Sequence, residues 1–258
     1  MLFSVRAFQV PKKGSTSEEC EDAFLYDEAK RLYAISDGAT DSAFQKRWAE
    51  LLVKGFISEP PELCSPSLRD CSLGDWLEAL QCKWVESIEW GKLPFHGYNK
   101  ARLTGGLATF LGIQFASNNE WRGISVGDCN LFQLRSGELC GSWTIVSSSE
   151  FGNSPIALSS INHNYQALLE NVAWITGYYA PGDMFLMTTD ALAEYFLKWR
   201  ERDSGFNKKI TSFLNRIWRP NVGQLKFVKR INSARRRKSM RNDDVTLLVI
   251  RVDETREQ

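Results

Sequence analysis

The chain contains 258 residues, of which 43% are hydrophobic and 24% charged, and its formal net charge is +1. These values are typical of an ordinary globular protein and exclude disordered, collagen-like and coiled-coil chains. No apolar run approaches the ~20 residues of a membrane-spanning helix, and the first residues show no export signal, so we expect a cytoplasmic protein without a membrane anchor. The length predicts one large domain, residues 1–258, with a sizeable core.

Segments typical of β-strands recur from one end of the chain to the other. Some alternate apolar with polar residues, and others are continuously apolar. A turn at Ser136 and Gly137 predicts a hairpin within an antiparallel meander. The predicted strands are residues 3–10, 23–27, 31–36, 107–115, 121–126, 131–135, 138–146, 183–189 and 245–252.

Four amphipathic helices are interleaved with these strands. In each, apolar and aromatic side chains recur every three or four residues, as Trp48, Leu52 and Phe56 do in the first. Such stripes indicate packing against a sheet rather than a cofactor site. The predicted helices are residues 42–56, 75–90, 191–202 and 208–218. The polar stretch 147–164 is predicted to be a long loop, and 147–180 a flap that shapes access to the site.

Cysteine and histidine usage limits the kind of metal site. The six cysteines include no C-x-x-C pair, and the chain has two histidines. A chain of this size needs no disulfide framework, so we expect reduced thiols. A zinc site of His and Cys ligands is not expected. Any metal ion would therefore be held mainly by oxygen.

Aspartates fall at the ends of the predicted strands. A single Asp at a strand end usually caps a turn or a helix, but five such aspartates along one chain favour a common site. Carboxylates ~4 Å apart repel by about 4 kcal/mol at an effective dielectric of 20, so a cluster must protonate or bind hard cations. Oxygen ligation indicates Mg²⁺ or Mn²⁺, and two such ions can present a hydroxide to phosphorus. The five residues are Asp22, Asp37, Asp128, Asp190 and Asp243.

In order and spacing, the segments that carry these aspartates resemble the metal-dependent type 2C family of serine/threonine protein phosphatases. The resemblance covers nearly the whole chain and favours a compact bacterial-type member. Each motif is weak alone, and their order makes them specific. The segments are ECEDAF at 19–24, AISDGA at 34–39, GGLATFLGI at 105–113, SVGDCNLFQLR at 125–135, LMTTDAL at 186–192 and RNDDVTLLVI at 241–250.

The resemblance implies a fold and a site. The fold is α+β, a four-layer α/β/β/α sandwich in which two antiparallel sheets pack face to face with helices outside. The implied activity is hydrolysis of phosphoserine and phosphothreonine in proteins by water that a binuclear Mg or Mn centre activates. The implied metal ligands are Asp22, Asp37, the Gly38 carbonyl, Asp190 and Asp243, with Asp128 holding a third, weaker ion and Glu21 reaching metal-bound water.

The chain departs from the family pattern around the phosphate. The family commonly has an arginine shortly before the ED pair, where this chain has residues 15–17, Ser-Thr-Ser. Lys12 and Lys13 are the candidates to replace it, as point charges without the guanidinium fork. Ala191 stands where the family usually has a glycine after the TD motif, and no histidine lies beside the DG motif. Protonation of the leaving group would then fall to metal-bound water.

A basic run lies just before Asp243. Eight basic residues and no acidic one occur between Lys226 and Arg241. Such a run is most often a solvated loop or helix face, less often a dock for phosphorylated or acidic partners, and least often a nucleic-acid site. Aromatic residues beyond Phe227 are lacking, which disfavours nucleic acid. We predict a basic loop, 226–241, that borders the catalytic cleft and binds substrate through Arg235, Arg236 and Arg237.

Two alternative functions also have some support in the sequence. The segment GISVG at 123–127 matches a nucleophile elbow with Ser125 as nucleophile and His163 as base, but a strand follows it where the elbow needs a helix. No glycine-rich nucleotide-binding motif is present. The stronger alternative is a phosphoprotein-binding or regulatory module with weak catalysis on the same fold. The presence of all five aspartates argues against that alternative.

Overall fold

The computed structural model describes residues 2–152, 155–161 and 165–253. Contacts between residues divide the chain into two compact units, each assembled from separate stretches of sequence. Unit 1 comprises residues 1–20, 130–153 and 179–258, and unit 2 comprises residues 21–129 and 154–178. Within the described ranges, no helix is both long and apolar enough to span a bilayer. The single domain 1–258 remains a prediction.

Strands and helices alternate in blocks along the chain. The strands are β1 (Leu2–Val10), β2 (Ala23–Asp27), β3 (Leu32–Gly38), β4 (Leu107–Phe115), β5 (Glu120–Val126), β6 (Asn130–Arg135), β7 (Glu138–Trp143), β8 (Leu158–Ser159), β9 (Ala173–Tyr178), β10 (Met184–Thr188) and β11 (Val245–Asp253). The helices are α1 (Gln45–Ser58), α2 (Arg69–Glu86), α3 (Phe95–Leu103), α4 (Tyr165–Leu169), α5 (Asp190–Arg202), α6 (Phe206–Ile217) and α7 (Gly223–Arg236).

Unit 1 contains a five-stranded antiparallel sheet in the order β1-β11-β10-β6-β7. The strand β11 is buried from Val245 to Ile250, as its continuous apolar sequence predicts. The core of this unit joins sheet residues to α5, α6 and α7, and each fully buried apolar side chain stabilises it by about 1.5–3 kcal/mol. Its members include Phe8, Leu186, Phe196, Ile210, Leu214 and Phe227.

Unit 2 contains a six-stranded sheet in the order β2-β3-β4-β5-β9, with β8 paired to β4. The helix α1 supplies the stripe that its sequence predicts, since Trp48, Leu52 and Phe56 are all fully buried. The indole nitrogen of Trp48 donates a hydrogen bond to the carbonyl of Leu158 at 2.9 Å. The stripe packs in a core that also contains Phe110 of β4.

The predicted α+β class, with two antiparallel sheets and accompanying helices, is confirmed. Each predicted strand and each of the four predicted helices is present, and most have shifted ends, although β2 and β4 match their predicted bounds. The first helix begins at Gln45 rather than Ser42, because Phe44 has a left-handed backbone with φ of 52°. The Ser42 hydroxyl accepts a hydrogen bond from the Leu107 amide at 2.9 Å instead of capping a helix. The strand β7 ends at Trp143 because Thr144 also has positive φ.

The predicted flap at 147–180 is wrong in its last part. Ala173–Tyr178 forms β9, which pairs with β5 as an integral strand of the sheet in unit 2. The predicted loop at 147–164 contains the short strand β8. Residues 153, 154 and 162–164 of this region lie outside the described ranges.

The predicted basic loop at 226–241 is also wrong for most of its length. Residues Gly223–Arg236 form α7, and only the end of the run is a turn. The helix forms because Phe227, Ile231 and Ala234 recur at spacings of three and four residues and are buried. The abundant charges between them obscure this stripe in the sequence.

Candidate metal centre

The β2–β3 hairpin places Asp22 and Asp37 at the same end of unit 2's sheet. The pairing of the two strands reaches Ala23 opposite Ser36, so Asp22 precedes this pair and Asp37 follows it. Only 4% of Asp22 is exposed, whereas Asp37 is half-buried. The two acids therefore lie at the neighbouring ends of β2 and β3.

Gly38 permits a close approach of the chain to Glu21. A Cβ atom at Gly38 would lie 2.9 Å from the Glu21 carbonyl oxygen and 3.1 Å from the Gln45 carbonyl carbon, which is too close for a side chain. The Glu21 carboxylate accepts hydrogen bonds from Thr40 Oγ1 at 2.6 Å and from Gln45 Nε2 at 2.8 Å. These contacts hold Glu21 beside the DG motif formed by Asp37 and Gly38.

A third acid of unit 2 follows β5. Gly127 has φ of 92°, a left-handed conformation that favours glycine, and the next residue, Asp128, is only 4% exposed. Burial raises the pKa of the adjacent Cys129 thiol, and the charges of Asp37, Asp128 and Asp22 raise it further. The charges of all three carboxylates therefore act on one buried thiol.

Asp190 and Asp243 lie at one end of the β10–β11 pair in unit 1. Asp190 begins α5 two residues after β10, and Asp243 lies two residues before β11. Two hydrogen bonds join these ends, from the Thr189 amide to the Thr246 carbonyl at 3.2 Å and from the Thr246 amide to Thr189 Oγ1 at 3.0 Å. Antiparallel pairing of β10 and β11 therefore brings the two acids to the same end of the strand pair.

Arg241 lies between these two acids. Its guanidinium forms an ion pair with Asp190 and lies 3.9 Å from Asp243. Burial raises the pKa of the Asp190 carboxyl, Arg241 opposes this rise, and the Asp243 charge adds to it. Sequence reasoning counted Arg241 only as a member of the basic run. Its position two residues before Asp243 was the signal that could have identified it.

The backbone of Lys12 and Lys13 is fastened to the Asp243 segment. The Lys12 amide donates to Asp244 Oδ1 at 2.6 Å, and the Lys13 amide donates to Asn242 Oδ1 at 2.8 Å. The backbone of both lysines therefore lies beside the residues that flank Asp243, and their role in phosphate binding stays a prediction.

The three arginines predicted to bind substrate differ in environment. Arg235 is half-buried and donates to the carbonyl of Pro11 at 2.9 Å and to the carbonyl of Asp243. Arg236 and Arg237, at the end of α7, are exposed. Arg235 therefore supports the backbone beside Asp243, and substrate binding by all three arginines stays a prediction.

A cationic cavity of about 520 Å³ includes Arg241 in its lining. Lys198, Arg235 and Lys238 also line it, and its acidic residue, Glu194, pairs with Lys198 at 2.5 Å. The remaining positive charges suit a phosphate group or an acidic side chain. This cavity belongs to unit 1 and contains part of the predicted basic run.

The chemistry of the acidic residues fits a hard divalent cation. Carboxylate and carbonyl oxygens are the ligands that Mg²⁺ and Mn²⁺ prefer, and buried carboxylates need compensating positive charge. Across residues 2–152, 155–161 and 165–253, no group of three or more His, Cys, Asp or Glu side chains forms a ready-made metal site. In unit 1 the positive charge beside Asp190 is that of Arg241.

The nucleophile-elbow alternative finds no support in the described residues. Ser125 lies within β5, is fully buried and donates to the carbonyl of Phe110 at 3.3 Å. Its proposed base, His163, lies outside the described ranges. Ser125 is a strand residue, as the sequence context indicated.

Comparison with known proteins identifies the fold. Neither a protein-family model nor a curated protein sequence matches the chain significantly. Solved structures match over nearly its full length. The serine/threonine phosphatase PstP/Ppp of Mycobacterium tuberculosis is 17% identical with a TM-score of 0.62, over 98% of this chain and 100% of that one.

Two further structures agree with this match. The catalytic domain of PstP in complex with two manganese ions is 17% identical with a TM-score of 0.60, over 98% and 99% of the two chains. PppA of Pseudomonas aeruginosa, a regulatory component of T6SS, is 16% identical with a TM-score of 0.58, over 97% and 98%. The resemblance read from the motifs is thus confirmed at the level of structure: this chain has the fold of the type 2C (PPM) serine/threonine phosphatases.

Proposed function

We propose that this chain is a metal-dependent protein phosphatase that hydrolyses phosphoserine and phosphothreonine in protein substrates. The main support is the placement of Asp22 and Asp37 at one end of the β2–β3 pair, with the charge of Asp128 acting on the same buried thiol as theirs, on the fold of such phosphatases. Like charges in a buried setting repel one another strongly, and divalent cations relieve that repulsion. A phosphorylated protein is the partner this function requires, and a cytoplasmic location remains our prediction.

The proposed roles are those that the family resemblance implies for each residue. Bound Mg²⁺ or Mn²⁺ would lower the pKa of a water molecule and offset charge on the phosphoryl group. Glu21, held by Thr40 and Gln45, would orient the attacking water. Lys12 and Lys13 would contact the phosphate. The proposed ligands of the two ions are Asp22, Asp37, the Gly38 carbonyl, Asp190 and Asp243, and Asp128 would hold a third ion.

The first test is hydrolysis of p-nitrophenyl phosphate and of a phosphothreonine peptide with Mn²⁺, Mg²⁺ or EDTA. We expect turnover only with a divalent ion. Asp190→Asn should abolish turnover, with the circular dichroism spectrum unchanged. Asp75→Asn, at an exposed position on α2, is the matched control for loss of one carboxylate and should retain full activity. Absence of turnover with every divalent ion would contradict the proposal.

A second test separates the weaker ion from the other two. Asp128→Ala should lower kcat strongly while leaving tight Mn²⁺ binding, measured by calorimetry, nearly unchanged. Equal losses of activity and of tight binding would show that Asp128 belongs to the main centre. A crystal soaked in Mn²⁺ would count and locate the ions through their anomalous scattering.

One observation favours the alternative of a catalytically weak phosphoprotein-binding module. The guanidinium of Arg241 neutralises Asp190, which is one of the proposed metal ligands. A module of this kind would bind the phosphopeptide in EDTA as tightly as in Mn²⁺ and would not hydrolyse it. Measuring peptide affinity and turnover on the same preparation distinguishes the two functions.

A further inference from the structure

A second and larger basic cavity lies among the helices of unit 1. Its volume is about 1050 Å³, and its lining comes from α5, α6, α7 and the connection between α6 and α7. Basic side chains dominate the lining, and no acidic residue of the described ranges contributes to it. With Lys209, the basic residues of the lining are Lys208, Arg216, Arg219, Lys226, Lys229 and Arg230.

The local sequence leaves this positive charge largely uncompensated. Residues 204–242 contain twelve basic residues and no acidic residue. Lys209, which also lines the cavity, pairs with Asp203 just outside this stretch. Among the ion pairs of the described residues, no other involves a cation of this cavity. Clustered like charges repel, so an anion in the cavity would stabilise this part of the fold.

The wall formed by α5 holds one guanidinium in a fixed position. Arg230 donates to the Tyr195 hydroxyl at 2.7 Å, and its guanidinium lies 5.1 Å from the centre of the Trp199 ring. Trp199 in turn contacts Phe206 edge to face at 5.5 Å. An arginine already held in place loses less conformational entropy when it binds an anion.

Size and charge together identify the class of ligand. Cavities for small molecules measure about 300–1000 Å³, so this one holds more than a single phosphate ion. Trp199 and Phe213, the aromatic residues of the lining, are engaged by Arg230 and by Phe227 rather than left free to stack on bases. We propose that this cavity binds a compact polyphosphorylated small molecule, held by the basic side chains of α6 and α7.

The proposal is independent of the phosphatase function. No residue of this cavity is among the proposed metal ligands or the residues predicted to bind substrate. The test therefore uses the full chain in EDTA, so that metal-dependent binding at the acidic residues does not contribute. The probe is inorganic tripolyphosphate, and its affinity is measured by isothermal titration calorimetry at constant ionic strength.

The informative variant combines Arg216→Gln, Lys226→Gln and Lys229→Gln. The control combines Lys83→Gln, Lys92→Gln and Lys100→Gln, which remove the same charge from exposed positions of unit 2. We expect one tripolyphosphate per wild-type chain and at least about thirtyfold weaker binding to the cavity variant, because three charge-assisted contacts are lost. Affinity for the control should change by less than about twofold, since distant charges are screened.

A stability measurement keeps the test decisive if the triple variant folds poorly. Tripolyphosphate should raise the Tm of wild type and of the control variant. It should raise the Tm of the single variant Lys226→Gln by less. Equal binding by the cavity and control variants would overturn the proposal. Stabilisation by sulfate equal to that by tripolyphosphate would also overturn it. So would cavity-dependent binding of single-stranded RNA or of anionic vesicles if tripolyphosphate does not bind.

Discussion

Arg241 forms an ion pair with Asp190, the first residue of α5, and also lies 3.9 Å from Asp243. A divalent ion that binds these carboxylates must compete with a guanidinium that is already attached to one of them. Removing this competitor should strengthen metal binding, because the acids then lack their internal counter-charge. We expect Arg241→Gln to bind Mn²⁺ about tenfold more tightly in calorimetry, equivalent to ~1.4 kcal/mol.

Arg237→Gln is the matched control for Arg241→Gln. It removes one positive charge from an exposed position in the turn after α7 and should leave the Mn²⁺ affinity unchanged. Weaker Mn²⁺ binding by Arg241→Gln would show that the guanidinium holds the acids in a geometry the metal needs.

Asp183 is a buried acid with a structural role. Its carboxylate accepts hydrogen bonds from Gln133 Nε2 at 2.7 Å, from Arg135 at 2.8 and 2.9 Å, and from the Ala180 amide at 2.9 Å. We expect Asp183→Ala to lower the free energy of unfolding by about 3 kcal/mol, because the buried Gln133 amide, the Arg135 guanidinium and the Ala180 amide all lose their buried acceptor. Urea denaturation measures this. Glu50→Gln, in an exposed pair with Lys54, should leave stability unchanged.

The arginines at the end of α7 should separate into two classes. Arg235→Gln removes donors from the carbonyls of Pro11 and Asp243 and should lower stability by about 2 kcal/mol. Neutralising Arg236 and Arg237 together should leave stability unchanged but raise KM for a phosphopeptide at low salt, with kcat little changed. A change confined to kcat would contradict a role in substrate attraction.

Cysteine accessibility provides a direct test of the burial pattern. All six cysteines carry free thiols, and Cys20 and Cys129 are buried whereas the other four are exposed. Burial also raises the pKa of the Cys129 thiol, which keeps it protonated and unreactive. In native protein at pH 8, we expect rapid labelling of Cys64, Cys71, Cys82 and Cys140 by a thiol reagent, with mass spectrometry identifying the sites. Rapid labelling of Cys129 would contradict the structure.

Tyr33 should control stability at alkaline pH. It is fully buried in β3, and burial raises the pKa of its phenol above the ordinary value of about 10. Above pH ~10 the unfolded chain releases this proton and the folded chain retains it, so stability falls as pH rises, by up to about 1.4 kcal/mol per pH unit. Below that range the contribution of Tyr33 is fully present. Tyr33→Phe should flatten the alkaline limb of a stability–pH curve and leave the neutral region parallel to wild type.

Local patterns predicted most elements because each depends on neighbouring residues. The stripe of Trp48, Leu52 and Phe56 marks α1 whatever it packs against. The basic helix α7 was not predicted because charged residues surround Phe227, Ile231 and Ala234 and lower the apparent amphipathicity of the segment. The strand β9 was not predicted because it forms only by pairing with β5, which is distant in sequence.

The sequence by itself determined the order of the strands and the placement of aspartates at their ends, since side-chain periodicity and turn chemistry act over a few residues. Tertiary structure decided which of those acids meet and what neutralises them. It brought Asp22 and Asp37 to one end of the β2–β3 pair, and it placed Arg241 in an ion pair with Asp190. Strand pairing and burial produce these contacts, and the resulting electrostatic interactions depend on distances that sequence separation does not reveal.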